Sequence, residues 1–279
     1  MYVTSKFVFL EIPKTGSTYI DQIMIDMLDG QKIGKHNYPS DELLNSDRLF
    51  VGSIRNPFDW YVSLWAYGCK VKERSAPYRK TMSYRPFDLK GYGFDKNLAF
   101  GIKAYANYLA KAPFKNKAAW KSAYADNKDP ANFRTWLNLM FRSGDIYLYN
   151  SIFGQTRLKD FAGLYTFRYL WLCCRNLDEL LTDKCPRNLG ELRDWEQRNC
   201  YVDSFIKMEN MSEALVRLFG NFGYELTDEQ LSRLAENKRH KNATNRSRNL
   251  NYYYDAEMRE LIFAREAIIF EKFEYNNSL

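Results

Sequence analysis

Two short stretches of this chain hold residues of the right type and spacing to grip an anion. The first is Pro13-Lys14-Thr15-Gly16-Ser17-Thr18. A turn that feeds a helix points successive backbone N–H groups into one concavity, and the helix dipole adds positive potential there. Gly16 lets the main chain approach a ligand closely. Lys14 supplies a full charge, and Thr15, Ser17 and Thr18 supply hydroxyls. The chemistry is that of a phosphate or sulfate cradle. It is not a Walker A loop, since G-x-x-x-x-G-K-[ST] is absent and the lysine precedes the glycine. The second stretch is Ser53-Ile54-Arg55-Asn56-Pro57, with Ser63 further on. A guanidinium at a strand end and a hydroxyl on the next helix can converge on a second anionic group. Two such sites on successive units point to a ligand that is anionic at two places.

These residues need elements to position them. Phe7 to Ile12 is a short apolar run rich in β-formers, as in a strand buried on both faces. Pro13 and Gly16 break it. Ile20, Ile23, Met24, Met27 and Leu28 then follow helical spacing up to Gly30. Leu49 to Ile54 reads as a second strand, and Asn56-Pro57 starts a second helix marked by Tyr61, Leu64 and Trp65. Two strand–turn–helix units in succession predict an α/β fold with parallel strands. Helices are expected around Leu98–Ala112, Phe133–Phe141, Ser212–Phe219 and Asp228–Glu236, and one long helix over Asp255–Phe273. Phe205–Met208 reads as a third buried strand. Leu158–Leu181 is ambiguous between helix and strand, and Lys238–Asn251 reads as a polar loop. Residues 70 to 200 read as a largely helical insertion in a single domain spanning 1–279.

Composition narrows the classes. The chain has 279 residues, 46% hydrophobic, which excludes a disordered chain. The longest apolar run, Leu164 to Cys174, is 11 residues and contains Arg168, short of the ~18 needed to span a bilayer. A soluble, cytoplasmic protein without membrane attachment is expected. Five cysteines without a CxxC pair speak against a metal site or a disulfide framework. The net charge of +7 is uneven. Lys70 to Lys128 holds 14 Lys/Arg against 4 Asp/Glu, a local +10 that leaves −3 elsewhere. Such a block can recruit an anionic partner. It is interleaved with Tyr78, Tyr84, Tyr92, Phe94, Tyr105 and Tyr108, a mixture that suits sugars, nucleic acid or an ordinary core.

P-K-T-G-S-T followed by R-N-P-x-x-x-x-x-S resembles the sulfotransferase family, whose donor is 3′-phosphoadenosine 5′-phosphosulfate (PAPS). The spelling I-P-K-T-G-S-T is closer to the carbohydrate and membrane-type members than to the cytosolic phenol and steroid enzymes. The likeness covers residues 7 to 68 and, more loosely, 203 to 275. It implies a P-loop-like three-layer fold with a central parallel sheet flanked by helices. It also implies a 5′-phosphosulfate loop at Pro13 to Thr18 and a 3′-phosphate site at Arg55 and Ser63. Phe205-Ile-Lys-Met-Glu-Asn resembles the family's late strand, which ends in an acidic residue, here Glu209. His240 to Arg248 resembles the loop that closes over the donor, with Asn242, Thr244 and Arg246 as candidate contacts.

Sulfuryl transfer is an in-line displacement in which charge accumulates on the leaving oxygen, much as in phosphoryl transfer. Lys14 and the turn amides are placed to stabilise that charge. The attacking hydroxyl must lose a proton, and the chain has only two histidines, His36 and His240. A histidine in the segment before the second strand is the proposed base in relatives of the heparan 2-O type, so the resemblance implies His36 as general base, with Lys35 beside it. The expected acceptor is a hydroxyl, with an anionic saccharide favoured by the basic block. No nucleic-acid partner and no metal are expected. The competing readings are a P-loop kinase-like enzyme and a non-enzymatic polyanion binder. Against the kinase stand the missing G-K-[ST] and an Arg55 where a magnesium-binding Asp belongs.

Overall fold

Residues 1–70, 75–85, 87–142, 144–236 and 249–278 are described by the structure, a computed structural model. The chain divides into two compact units, each assembled from several segments. The first comprises Met1–Asn56, Arg168–Arg175 and Asn199–Ala243; the second comprises Pro57–Phe167, Asn176–Arg198 and Thr244–Leu279.

The first unit is built on a five-stranded mixed sheet. Its strands are β1 (Tyr2–Thr4), β2 (Phe7–Leu10), β3 (Gly30–Lys32), β4 (Leu49–Ile54) and β5 (Ser204–Lys207). Their order is β3-β1-β2-β4-β5. β2, β4 and β5 run parallel, with Phe9 opposite Val51 and Gly52 opposite Phe205. The expected parallel sheet is therefore found at its centre, while β1 pairs antiparallel with both β2 and β3. The reason is local. Lys6 separates β1 from β2 by a turn in which the Thr4 hydroxyl accepts from Phe7 N–H (2.9 Å), and a connection this short permits only antiparallel pairing.

All four residues of β2 are buried, as are five of the six in β4. One face of the sheet presents Phe7, Phe9, Val51 and Ile206. Against it pack Ile20, Ile23 and Met24 of the helix α1 (Ser17–Met27), and Met211, Leu215, Leu218 and Phe219 of the helix Met211–Asn221. Full burial of each such side chain contributes roughly 1.5–3 kcal/mol. The opposite face carries Phe50 against Tyr201 and Phe205 against Tyr169. Gly52 is required there: a Cβ would lie 2.6 Å from the Phe205 ring.

The second unit is helical and explains the aromatic content. Trp60 stacks on Tyr165 at 4.5 Å. Trp65 donates its indole N–H to the Ala123 carbonyl (2.6 Å), and Trp136 donates to the Tyr124 hydroxyl (2.8 Å). Indole and phenol can be fully buried here because their polar ends are satisfied. The helices Leu98–Lys111 and Pro130–Phe141 lie where the apolar spacing places them. The ambiguous 158–181 stretch contains a helix, Leu164–Cys173. The expected long C-terminal helix is instead two, Ala256–Arg265 and Ala267–Lys272, broken at Glu266. The Glu266 side chain is buried and accepts hydrogen bonds from the N–H groups of Tyr165 and Thr166 (3.1 and 2.7 Å), capping the helix Leu164–Cys173 from another part of the chain. No helix among the described residues is long and apolar enough to cross a membrane.

Candidate functional site

The carboxyl ends of β2 and β4 deliver the two motifs. β2 ends at Leu10, and its chain continues through Glu11, Ile12 and Pro13 into a turn with left-handed backbone at Lys14 (φ 70°) and Gly16 (φ 76°). α1 starts at once, with no side-chain cap and no acidic residue in its first turn. Its amino end thus keeps the positive potential of the helix dipole. A Cβ at Gly16 would meet the Met208 sulfur at 2.2 Å, so the segment after β5 lies against the turn.

Beneath the turn, Thr15 is fully buried. Its hydroxyl donates to the Ile12 carbonyl (2.8 Å) and pairs with the Ser53 hydroxyl (2.6 Å). That hydroxyl ties the turn to β4, so the ligand contact expected of Thr15 falls to its main chain. Ser17 is also buried. Thr18 is exposed, and its hydroxyl accepts from Lys35 Nζ (3.0 Å), keeping its own O–H for donation.

Arg55 leaves the end of β4 half-buried and donates from Nη1 to the Lys14 carbonyl (3.3 Å). The lysine turn and the arginine corner are therefore neighbours on one sheet edge. Glu209, after β5, accepts the Asn56 N–H at 2.7 Å, so that amide is occupied and the cationic group at this corner is the guanidinium. Ser63, by contrast, is buried in the helix Pro57–Lys70 of the second unit, whereas Arg55 belongs to the first. Asn242, Thr244 and Arg246 lie outside the described residues, as does His240.

His36 is the other functional side chain of this edge. Its backbone is left-handed (φ 56°), and its Nδ1 lies 2.6 Å from the Glu11 carbonyl oxygen. A carbonyl can only accept, so Nδ1 carries the proton and the neutral ring keeps its lone pair on Nε2. The same strand end thus anchors both His36 and the turn that begins at Pro13. Desolvation of the ring lowers the His36 pKa. The Glu11 hydrogen bond and carboxylate oppose this, and the positive charges of Lys35 and Arg168 reinforce it.

Glu11 itself is buried. Burial raises its pKa, but hydrogen bonds from Lys32 and the terminal ammonium outweigh that and hold it below the ordinary range. Lys32 also meets Asp21 at 2.6 Å, which fastens β3 to α1. Sequence reasoning missed Glu11 and Arg168 as parts of this surrounding. Arg168 sits 132 positions beyond His36 in an apolar helix, and no local pattern joins the two.

The arrangement offers an uncapped helix start, a lysine and an arginine in adjoining corners, and an imidazole with a defined acceptor nitrogen. Chemically it can hold an anionic group and take up a proton beside it. No protein-family model, no curated protein and no solved structure matches this chain.

Proposed function

We propose that the chain is a PAPS-dependent sulfotransferase that transfers a sulfuryl group to a hydroxyl, with a saccharide as the acceptor class. The observation that carries the reading is the Arg55–Lys14 hydrogen bond, which makes the ends of two adjacent parallel strands one cationic edge. Open α/β sheets bind nucleotides at this edge. The P-loop-like character of the fold belongs to the same reading.

The donor supplies the sulfuryl group and leaves as adenosine 3′,5′-bisphosphate. Lys14 and the first N–H groups of α1 stabilise the charge that grows on the leaving 5′-phosphate. Arg55 holds the 3′-phosphate. His36 takes the acceptor's proton on Nε2 while Nδ1–H stays bonded to Glu11, which fixes the ring's tautomer and direction. The imidazole is disposed to be neutral near pH 7 because its pKa is depressed, as a base must be.

Calorimetry with adenosine 3′,5′-bisphosphate tests the reading. A charge-assisted hydrogen bond contributes about 1.5–3 kcal/mol. Lys14→Ala and Arg55→Ala should therefore each weaken binding by about 10- to 150-fold. Wild-type affinity in both variants would remove the donor site.

A further inference from the structure

The helical unit contains a cavity that the reaction above does not use. Its volume is about 150 Å³, and its wall includes Tyr92, Tyr108 and Tyr149 together with Lys80, Arg85 and Asp88. The wall is held in place from within. Arg85 N–H donates to the Tyr108 hydroxyl (2.7 Å), the Tyr92 hydroxyl donates to the Arg85 carbonyl (2.7 Å), and the Arg85 guanidinium pairs with Asp88 (2.6 Å). Tyr84 stacks on Tyr108 at 5.7 Å and is 52% exposed, extending the aromatic surface outward.

Size and chemistry narrow the ligand. A cavity of roughly 150 Å³ holds one six-membered ring. A plain aromatic ring would leave Lys80, Arg85 and Asp88 desolvated against carbon, which is unfavourable. A pyranose presents C–H faces to tyrosines and hydroxyls at its rim to the polar groups. Two cations against one carboxylate leave the wall positive, so an acidic substituent on the ring gains and a neutral one does not.

We propose that this cavity binds one anionic pyranose unit, a hexuronate or an O-sulfated hexose, of an oligosaccharide. The proposal rests on the sulfotransferase reading for the saccharide class but not for its chemistry, because binding is measured without turnover.

The test is calorimetric titration of the full chain with a chondroitin sulfate tetrasaccharide, a hyaluronan tetrasaccharide and neutral chitotetraose. A second titration uses adenosine 3′,5′-bisphosphate. Lys80→Gln should weaken the sulfated tetrasaccharide about tenfold, the effect of one charge-assisted hydrogen bond. Ser151→Trp, at another wall position, should fill the cavity and abolish that binding. Both variants should keep wild-type nucleotide affinity, which also shows that they are folded. Chitotetraose should bind at least tenfold more weakly than the charged sugars, and hyaluronan against chondroitin sulfate separates carboxylate from sulfate recognition. Unchanged sugar affinity in both variants, equal affinity for chitotetraose, or no sugar binding would overturn the proposal. Loss of nucleotide binding by the wild type, with sugar binding retained and sensitive to Lys80, would instead remove the sulfotransferase reading and leave the cavity's assignment standing.

Discussion

Replacing Glu266 by Gln should flatten the pH dependence of stability across the mildly acidic range. The carboxyl is fully buried, and it accepts from Tyr165 N–H, Thr166 N–H, the Thr166 hydroxyl (2.6 Å) and the Tyr61 hydroxyl. Burial raises its pKa from 4.5 to about 7 despite those donors, and the adjacent carboxylate in turn pushes the buried Tyr61 phenol well above its usual value, after burial itself. The folded state then holds a proton more tightly than the unfolded one. Stability from this group is fully present below pH 4.5 and is lost as pH rises through about 7. The gap between the two values corresponds to about 3 kcal/mol. The assay is urea unfolding of wild type and Glu266→Gln at several values between pH 5 and pH 8, read as the difference between the two proteins so that other carboxyls cancel. The wild type should lose about 2–3 kcal/mol more than the variant over this range. Parallel curves, or a wild type that gains relative to the variant as pH rises, would refute the reasoning.

Two further outcomes follow from the sheet edge. His36→Ala should lower turnover by about 10²–10⁴-fold with nucleotide affinity unchanged, and the acidic limb of the wild-type kcat/KM profile should fall below 6.5, since desolvation and the charges of Lys35 and Arg168 depress the ring's pKa; a limb above that value, or a loss under tenfold, contradicts the assignment. Gly16→Ala must place a Cβ at φ 76° and 2.2 Å from the Met208 sulfur, so about 1–2 kcal/mol of backbone strain is expected, together with a Tm lower by several degrees in thermal denaturation; a Tm within one degree of wild type would show that the turn relaxes freely.

What could be read from residue order was whatever local chemistry encodes. β4 matches its expected bounds because a six-residue apolar run ends against Asn56-Pro57, a helix start written in two residues. α1 was legible from its 3.6-residue stripe. β1 and β3 were not, since three residues carry no period, and Gly30, read as the end of a helix, begins an edge strand. The break at Glu266 was hidden because the apolar spacing of Met258, Ile262 and Ile269 continues across it, and its cause lies in the distant helix start that the carboxylate caps. At the site, Lys14, Arg55 and His36 were legible as types at strand ends. The second role of Thr15 was not, since its partner Ser53 becomes a neighbour only through parallel pairing of β2 with β4. Arg168 reaches the vicinity of His36 by the same long-range route.

The left-handed backbone at Lys14 has a consequence for how this position tolerates change. Side chains with a Cβ disfavour that conformation by roughly 1–2 kcal/mol, whereas glycine does not. Folding alone would thus rank glycine first there and asparagine next, while retention of an anion would rank lysine and arginine first. The two selections pull toward disjoint sets of amino acids. Saturation mutagenesis at this single codon, scored once for abundance and once for ligand capture, would separate architecture from recognition without reference to any other position.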